Sequence, residues 1–385
     1  MRILFTGGVT GGHIYPIVSV AEHIAKMDPQ AQLYYIGVPG QYAQLLSSQN
    51  ISVATIASAK MRKGDLLRNI IDVPFLIIAI IQALWKVFWI MPDVLFSKGG
   101  PGALPVVLAC AFYRIPIIIH ESDSVAGLTS LASARFAKRI GIAYVTAKES
   151  FIGDTTNQFK RDAIEKKIAL IGNPIRDFLL NAPDRTTQAN EKKLLGFDPE
   201  KPLLLIVGGS QGSVRINNFF LSIAEELLTR NIQILHQVGM NNFATAQGEL
   251  NTFMQKYSAT YHNAYRIVPY FQEDIREAFL AADVVISRAG SGSIFEIAAM
   301  GKPSILIPLP ESISRDQVKN AFEYASTGAA ISMEETNLTK NIFLTQLEKV
   351  LGDDQLRTNM SVAAKAFSRP DAAETLAKEI IRLGQ

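Results

Sequence analysis

The sequence predicts an α/β protein with two Rossmann-like domains, each built around a parallel β-sheet, and three observations support this. The 385 residues suit two domains, because domains commonly hold about 100–200 residues. Short apolar runs alternate with segments of helical periodicity along the chain, which is the pattern of βαβ units. An apolar strand that ends in two glycines occurs at residues 2–8 and returns at residues 203–209.

Individual elements follow from the same patterns. Apolar runs predict strands at residues 2–5, 33–36, 94–96, 116–119, 168–171, 203–207, 232–237, 266–268, 284–286 and 304–307. Helical periodicity predicts helices at residues 15–27, 217–228, 292–300 and 371–383.

The domain boundary is expected just after residues 172–174, with the join continuing through the polar stretch 181–193. We therefore predict a first domain at 1–174, completed by a C-terminal helix at 367–385, and a second domain at 175–366. Because such domains bind ligands at the carboxyl ends of their strands, we expect a site in a cleft between them.

Composition excludes several classes of protein. Hydrophobic residues make up 48% and charged residues 19% of the chain, which excludes general disorder. The 38 basic and 35 acidic residues leave a net charge of +3, too small to indicate a nucleic-acid partner. Cys110 is the single cysteine, so neither an intramolecular disulfide nor a cysteine metal site can form, and we expect a core thiol in a reducing cytoplasm.

The first glycine loop, residues 7–13, has four glycines between a strand and a helix, which lets a ligand approach the backbone. Pro16 is expected in the first helical turn. The spacing fits neither a dinucleotide fingerprint nor a Walker A loop, so the sequence does not predict an NAD or ATP site. His13 is either a general base or a turn histidine bonded to backbone.

Three further loops carry polar groups. Residues 208–212 suit a phosphate, or form only a tight turn. In residues 288–296, Ser293 and Glu296 match a capping box, whereas the functional alternative is a carboxylate that binds two vicinal hydroxyls. Residues 120–123 follow a predicted strand, and no cluster has the spacing of metal ligands, so we expect no metal.

Seven stretches in order carry a resemblance to a known family: FTGGVTGGHIYP, SKGGPGALP, HESDSVAGL, IGNPIR, VGGSQGS, SRAGSGSIFEIAAMGKPSILIPLP and RDQVKNA. Together they resemble the bacterial peptidoglycan N-acetylglucosaminyltransferases of glycosyltransferase family 28. The resemblance implies a GT-B fold with two parallel sheets facing across a cleft. It also implies inverting transfer of N-acetylglucosamine from UDP-N-acetylglucosamine to the muramyl C4 hydroxyl of undecaprenyl-diphospho-muramoyl-pentapeptide (lipid I), giving lipid II without a cofactor or obligatory metal.

The resemblance also assigns residues to roles. It implies that the N-terminal domain binds the acceptor, the C-terminal domain binds the donor, and His13 is the catalytic base. The acceptor-binding positions are Thr10, His13 and Asp123. The donor-binding positions are Thr10, Gly11, Gly12, Arg176, Ser210, Phe271, Gly292, Ser293, Glu296 and Gln317. The chain departs from the family pattern at Val9, at Asp316 and at residues 101–104.

A membrane contact is expected from the apolar stretch 73–91, which Gln82 and Lys86 interrupt, and from the high mean hydropathy of +0.16. With the basic residues Lys60, Lys63 and Arg68, its tryptophans Trp85 and Trp89 have the composition of an interfacial membrane patch. The alternative is a core helix beside a solvated basic turn.

The expected location is the cytoplasmic face of the cell membrane, as a peripheral protein, with cell-wall synthesis proteins as further partners. The rival functions are another GT-B enzyme acting on a UDP-sugar, such as a 2-epimerase or a glycolipid synthase, and a non-catalytic sugar-nucleotide-binding subunit.

Overall fold

The computed structural model describes residues 1–57, 66–153, 157–180, 187–209, 212–256, 261, 263–272, 274–314 and 316–385, without the side chains of residues 66–72 and 160. Several predictions lie outside this description. They concern Ser210, the basic residues Lys60 and Lys63, the side chain of Arg68, and residues 181–186 of the predicted join.

The chain divides into two compact units. Unit 1 comprises Met1–Arg176 and Arg369–Gln385, and unit 2 comprises Asp177–Ser368. Each unit contains one parallel sheet with helices, so the prediction of an α/β fold with two Rossmann-like domains is confirmed.

Unit 1 has seven strands: β1 (Arg2–Thr6), β2 (Gln32–Gly37), β3 (Ile51–Thr55), β4 (Val94–Ser97), β5 (Ile117–Glu121), β6 (Arg139–Ile142) and β7 (Ile168–Leu170). Its first helices are α1 (Gly11–Met27), α2 (Ala43–Ser48), α3 (Leu66–Ile90), α4 (Ala103–Phe112), α5 (Leu128–Ala134), α6 (Ala147–Ile152) and α7 (Gln158–Glu165).

The strands of unit 2 are β8 (Leu203–Val207), β9 (Gln233–Gln237), β10 (Tyr265–Val268), β11 (Val284–Ser287), β12 (Ser304–Leu306) and β13 (Ala330–Ser332). Its helices are α8 (Gln188–Leu194), α9 (Val214–Ser222), α10 (Ala224–Thr229), α11 (Phe243–Met254), α12 (Ile275–Ala281), α13 (Ser291–Ala299), α14 (Gln317–Ser326), α15 (Lys340–Leu351) and α16 (Asp354–Phe367). The last helix of the chain, α17 (Ala372–Gly384), belongs to unit 1.

Both sheets reverse their strand order once. Unit 1 runs β3-β2-β1-β4-β5-β6-β7 and unit 2 runs β10-β9-β8-β11-β12-β13, with parallel pairing throughout. The reversals lie between β1 and β4 and between β8 and β11. Ligands of open α/β sheets bind outside the carboxyl ends of the strands at such reversals, and the predicted glycine loops follow β1 and β8.

All ten predicted strands are present within two residues of their expected bounds, and three more occur. β3 and β13 are edge strands whose residues are mostly only half-buried or exposed, so they lack a continuous apolar run. β6 begins with Arg139 and contains Gly141, which weakens its strand pattern.

Helix α1 begins earlier than expected, at Gly11 rather than residue 15. The placement of Pro16 in the first turn is therefore wrong, because Pro16 is the sixth residue of the helix. Proline has no N–H, so the carbonyl of Gly12 receives no helical hydrogen bond from residue 16. The single helix expected at 217–228 is also wrong, since Ile223 leaves helical geometry and separates α9 from α10.

Helix α3 is apolar around most of its circumference. Its segment Val73–Ile90 has a mean hydropathy of 2.0 and is long and apolar enough, by length and composition alone, to cross a membrane, yet only 17% of it is buried. The buried side is a row of small residues, Ala79, Ala83 and Val87, and α3 packs against α4.

The opposite side of α3 is exposed. Trp85 is 64%, Phe88 50% and Trp89 67% exposed, and these three residues are called the α3 aromatic face below. Their rings pack edge to face with one another. This exposure excludes the alternative that α3 is a core helix, while Cys110 of α4 is buried as expected.

Candidate active site

His13 is the third residue of α1, and the first glycine loop positions its imidazole. Thr10 is the N-cap, and its carbonyl accepts hydrogen bonds from the N–H groups of His13 and Ile14 at 3.0 and 3.2 Å. The Thr10 hydroxyl oxygen lies 2.8 Å from Nδ1 of the half-buried His13. With Nδ1–H donating to Thr10, Nε2 is the atom that can accept a proton.

Two glycines make room for this imidazole. A Cβ built on Gly100 would lie 2.7 Å from His13 Nε2 and 2.9 Å from the Cα of Gly8, and a Cβ on Gly8 would lie 3.0 Å from His13 Nδ1. Gly100 also has a φ of +80°, which L side chains rarely adopt. The imidazole therefore lies between the loop after β1 and the loop after β4, where a side chain at Gly100 would collide with it and one at Gly8 would press tightly against it.

Electrostatics keep His13 neutral. Burial and the nearby positive charge of Lys98 lower the pKa of His13 to about 4. Burial lowers the pKa of Lys98 to about 8, against the opposing charges of Glu121 and Asp123. At neutral pH the imidazole is therefore in the form that accepts a proton.

Lys98 also contacts polar residues at the ends of β5 and β7. Its Nζ lies 2.7 Å from His120 Nδ1, bonds the Ser122 hydroxyl and lies 3.4 Å from Asn173 Oδ1. The other nitrogen of His120, Nε2, donates to the carbonyl of Gly172 at 2.7 Å. Because both of its nitrogens are engaged in a buried environment, His120 is a structural residue rather than a second base.

Glu121 shapes the loop that carries the predicted acceptor residue Asp123. Its two carboxylate oxygens accept from the N–H groups of Asp123 and Gly127 at 3.1 and 3.0 Å. Burial, followed by the charge of Asp123, raises the pKa of Glu121. Asp123 itself is half-buried, on a loop at the same sheet edge as the His13 loop.

Arg176 lies in unit 1, although the prediction assigned it to the donor side. Its guanidinium lies 5.5 Å from the ring centroid of Tyr15 in α1. This cation–π contact positions Arg176 against the helix that carries His13.

In unit 2, the second glycine loop leads into α9. Gly212 has a φ of +73°, and a Cβ there would collide with the carbonyl of Val238, so only glycine fits. At Gly209, with φ +92°, the space around a Cβ is open. Ser213 caps α9 by accepting from the N–H of Ile216.

A buried ion pair supports the start of α9. Arg288, directly after β11, donates to the Ser213 hydroxyl at 2.7 Å and to the carbonyl of Ile307 at 3.1 Å, and it pairs with the buried carboxylate of Glu335. This arrangement holds the loops after β8, β11 and β12 together.

The capping-box interpretation of Glu296 is wrong. Helix α13 begins at Ser291 with Gly290 in the N-cap position, so Ser293 and Glu296 both lie inside the helix. They are half-buried, and their three-residue separation places them on one helix face. At Gly292, nothing lies within 4 Å of the position that a Cβ would occupy.

The remaining donor residues follow other strands of the same sheet. Phe271, after β10, is buried and gives its N–H to Gln237 Oε1 at 3.1 Å, so a base contact from this segment would use carbonyls. Gln317 is the first residue of α14, and its Oε1 accepts from the N–H of Leu309 at 3.1 Å. Its amide nitrogen is the end that could donate to a sugar hydroxyl.

Each unit thus gathers its predicted residues at one sheet edge. Unit 1 brings Thr10, Gly11, Gly12 and His13 together, with Asp123 on a neighbouring loop. Sequence reasoning missed Lys98, Gly100, Gln237 and Arg288. The available signal was a polar residue that ends or follows an apolar strand, at Lys98, Gln237 and Arg288. Within the described part of the chain, no three His, Cys, Asp or Glu side chains are grouped to hold a metal.

Known proteins resemble both halves of the chain. The glycosyltransferase family 28 N-terminal domain matches residues 3–142 and the family 28 C-terminal domain matches residues 203–376. UDP-N-acetylglucosamine–N-acetylmuramyl-(pentapeptide) pyrophosphoryl-undecaprenol N-acetylglucosamine transferases are among its relatives. That of Legionella pneumophila strain Lens is 33% identical over 98% of this chain and 96% of its own. That of Pediococcus pentosaceus is 30% identical over 98% of both chains.

Solved structures also resemble this chain over nearly its whole length. Acinetobacter baumannii MurG has a TM-score of 0.73 at 25% identity and covers 99% of both chains. A Neisseria meningitidis UDP-GlcNAc 2-epimerase has a TM-score of 0.66 at 12% identity, with 99% of this chain and all of that one covered, and shows the shared fold alone. The domain matches and the full-length relatives show that this chain is a glycosyltransferase and belongs to family 28, with the pyrophosphoryl-undecaprenol N-acetylglucosamine transferases.

Proposed function

We propose that this enzyme transfers N-acetylglucosamine from UDP-N-acetylglucosamine to the muramyl C4 hydroxyl of lipid I, with inversion, and so makes lipid II and UDP. The observation that carries the proposal is the match over 98% of the chain to transferases whose names state this donor and acceptor. The Neisseria meningitidis 2-epimerase structure, at 12% identity, shares the fold and lends no support to epimerisation.

On the acceptor side, His13 Nε2 takes the proton of the C4 hydroxyl. The hydroxyl oxygen forms a bond to the anomeric carbon on the face opposite UDP, and the bond from that carbon to the phosphate oxygen breaks with its electron pair leaving on UDP. The low pKa of His13 belongs to a site without substrate. A bound diphosphate stabilises the imidazolium, so it raises that pKa toward the working pH of a general base.

On the donor side, unit 2 receives the leaving diphosphate. The second glycine loop with Ser210 and the N-terminus of α9, which has no acidic residue in its first turn, supply amide donors and a positive dipole end. Arg176 adds a cation for the same charge. Glu296 accepts from the ribose hydroxyls, and Gln317 contacts the sugar.

The remaining donor contacts are proposed from the motif resemblance to family 28. The backbone at Phe271 contacts uracil. Gly292 and Ser293 contact the nucleotide, and the resemblance assigns Thr10, Gly11 and Gly12 to donor binding as well. Asp123 binds the acceptor.

Unit 1 takes a membrane lipid acceptor, and we place it at the cytoplasmic face of the cell membrane as a peripheral protein. The α3 aromatic face supports this, because exposed tryptophan and phenylalanine on an otherwise apolar helix are typical of an interfacial contact. Cell-wall synthesis proteins that share the membrane surface are the expected partners.

The direct test measures UDP release from UDP-N-acetylglucosamine in the presence and absence of a lipid I analogue. His13→Ala and His13→Gln should lower acceptor-dependent turnover by about 10²–10⁴ while UDP binding stays near normal. His23→Gln is the matched control, since His23 lies on the same helix and contacts the carbonyl of Ser19. Wild-type turnover in His13→Gln would reject His13 as the base and direct attention to Asp123.

A further inference from the structure

Gln237 is a buried glutamine at the point where the donor loops of unit 2 converge. It is the last residue of β9, which lies between β8 and β10 in the sheet. In the register of the sheet it pairs with Val207 of β8 and with Val268 of β10. The chain continues from Val207 into the second glycine loop and from Val268 to Phe271.

The side chain of Gln237 bonds both of these continuations. Its Nε2 donates to the carbonyl of Gly209 at 3.0 Å, and its Oε1 accepts from the N–H of Phe271 at 3.1 Å. The Gly209 carbonyl also accepts from the N–H of Gly212 at 3.0 Å. The side-chain amide of Gln237 therefore donates a hydrogen bond to the second glycine loop and accepts one from the segment that contains Phe271.

These bonds orient backbone groups as well as joining them. In a trans peptide the C=O and N–H point in opposite directions. Because the N–H of Phe271 points at Gln237, the carbonyl of Tyr270 in the same peptide group points away from it. That carbonyl is an acceptor of the kind that the N3–H of uracil requires.

We propose that Gln237 is a positioning residue for the nucleotide donor, which fixes the spacing between the glycine loop that receives the diphosphate and the Phe271 segment that receives the base. The inference rests on the proposed function in taking UDP-N-acetylglucosamine as the ligand. Gln237 touches neither the reacting atoms nor the sugar in this scheme; it acts through Gly209 and Phe271.

The same strand supplies a matched control. Gln233, at the other end of β9, is equally buried. Its Oε1 accepts from the N–H of Asp198 at 2.8 Å, and its Nε2 donates to the carbonyls of Asp198 and Lys201 at 2.9 and 3.3 Å. It thus joins backbone segments in the same way, but at the sheet edge opposite the donor loops.

The experiment compares Gln237→Met, Gln237→Glu and Gln233→Met, because methionine keeps the volume of glutamine and removes both hydrogen bonds. Gln237→Met should raise KM for UDP-N-acetylglucosamine and the Kd for UDP about tenfold, because displaced backbone segments lose about one hydrogen bond to the nucleotide, with kcat at saturating donor unchanged. Gln237→Glu keeps an acceptor for Phe271 but faces the Gly209 carbonyl with a carboxylate, and should weaken UDP binding as well. Uridine has no diphosphate and can contact only the Phe271 segment, so the Gln237 variants should lose less affinity for uridine than for UDP.

Gln233→Met should lower Tm as Gln237→Met does, yet leave KM and UDP affinity at wild-type values. UDP affinity that is unchanged in both Gln237 variants, or reduced equally in Gln233→Met, would overturn the proposal. Calorimetric UDP binding needs no acceptor. A wild-type protein that binds UDP but transfers nothing to a lipid I analogue would refute the proposed function while leaving the Gln237 comparison valid.

Discussion

Gly100→Ala should greatly slow transfer without affecting nucleotide binding, because the added methyl group would collide with the His13 ring. The new Cβ would lie 2.7 Å from His13 Nε2, 2.9 Å from Gly8 Cα and 3.0 Å from Gly8 N. The neighbours on the Gly8 side are backbone atoms with little freedom to move. The imidazole is the end of a side chain and therefore leaves its place, and the Gly8 backbone must also shift.

Gly100→Ala should have a small effect on stability and a large effect on turnover. A non-glycine residue at a φ of +80° costs about 1–2 kcal/mol. At about 2–4 °C per kcal/mol for a unit of this size, that lowers Tm by about 2–8 °C. Displacement of the base should lower kcat by about 10²–10⁴.

The assay measures kcat with a lipid I analogue, UDP affinity by calorimetry, and Tm. Gly328→Ala is the control for strain alone, since Gly328 has a φ of +85° and nothing lies within 4 Å of a Cβ built on it. The control should lose stability and keep kcat. Wild-type kcat in Gly100→Ala would show that the position of His13 between the two glycines is not the one used in catalysis.

Three further predictions concern pH, the donor and the membrane. The acidic limb of kcat/KM for UDP-N-acetylglucosamine, which reports the enzyme before the donor binds, should lie near pH 4, since protonation of His13 removes the base as the pH falls through its pKa of about 4. Lys98→Met should move this limb to higher pH, and a wild-type limb near 6.5 would contradict the burial argument. Glu296→Ala should raise KM for UDP-N-acetylglucosamine by about ten- to a hundredfold, because a charged hydrogen bond of about 1.5–3 kcal/mol is lost. Tm should change little because Glu296 caps no helix, and a large fall in Tm at constant KM would show that its role is structural. Replacement of the α3 aromatic face by serine should weaken binding to anionic vesicles, measured by co-sedimentation, while UDP affinity stays intact. The control is Phe159→Ser, at a phenylalanine of α7 that is 83% exposed, and this variant should bind vesicles normally. Equal vesicle binding by both variants would argue against the membrane contact.

The sequence predicts the central strands well because helices cover both faces of each sheet, so these strands must be continuous apolar runs such as LLLIV in β8. It fails at β3 and β13 because an edge strand that is half in solvent needs no such run. The sequence predicts the first residues of helices less well, for another reason. In α13, Gly290 takes the extended conformation with φ −67° and ψ 136°, and the helix begins one residue after it, whatever capping motif lies further along.

The candidate site is predictable where its residues are adjacent in sequence. The Thr10–His13 pair follows from the glycine loop alone. The contact of His13 with Gly100, or of Gln237 with Phe271, is set by strand order, because β1 neighbours β4 and β9 neighbours β10. No local pattern contains that information, so such partners emerge only from the folded chain.

The assignment of α17 to unit 1 has a consequence for biosynthesis. Residues Ala373, Leu376 and Ile380 of α17 pack into the same core as Ile3 and Phe5 of β1, yet the ribosome makes them only after all of unit 2. Unit 2 is one uninterrupted stretch, Asp177–Ser368, so all of its residues are made before α17. Unit 1, although its first strand is translated first, cannot complete its core until α17 has been made, so the usual order in which an N-terminal domain folds before the rest of the chain is synthesised is not open to it.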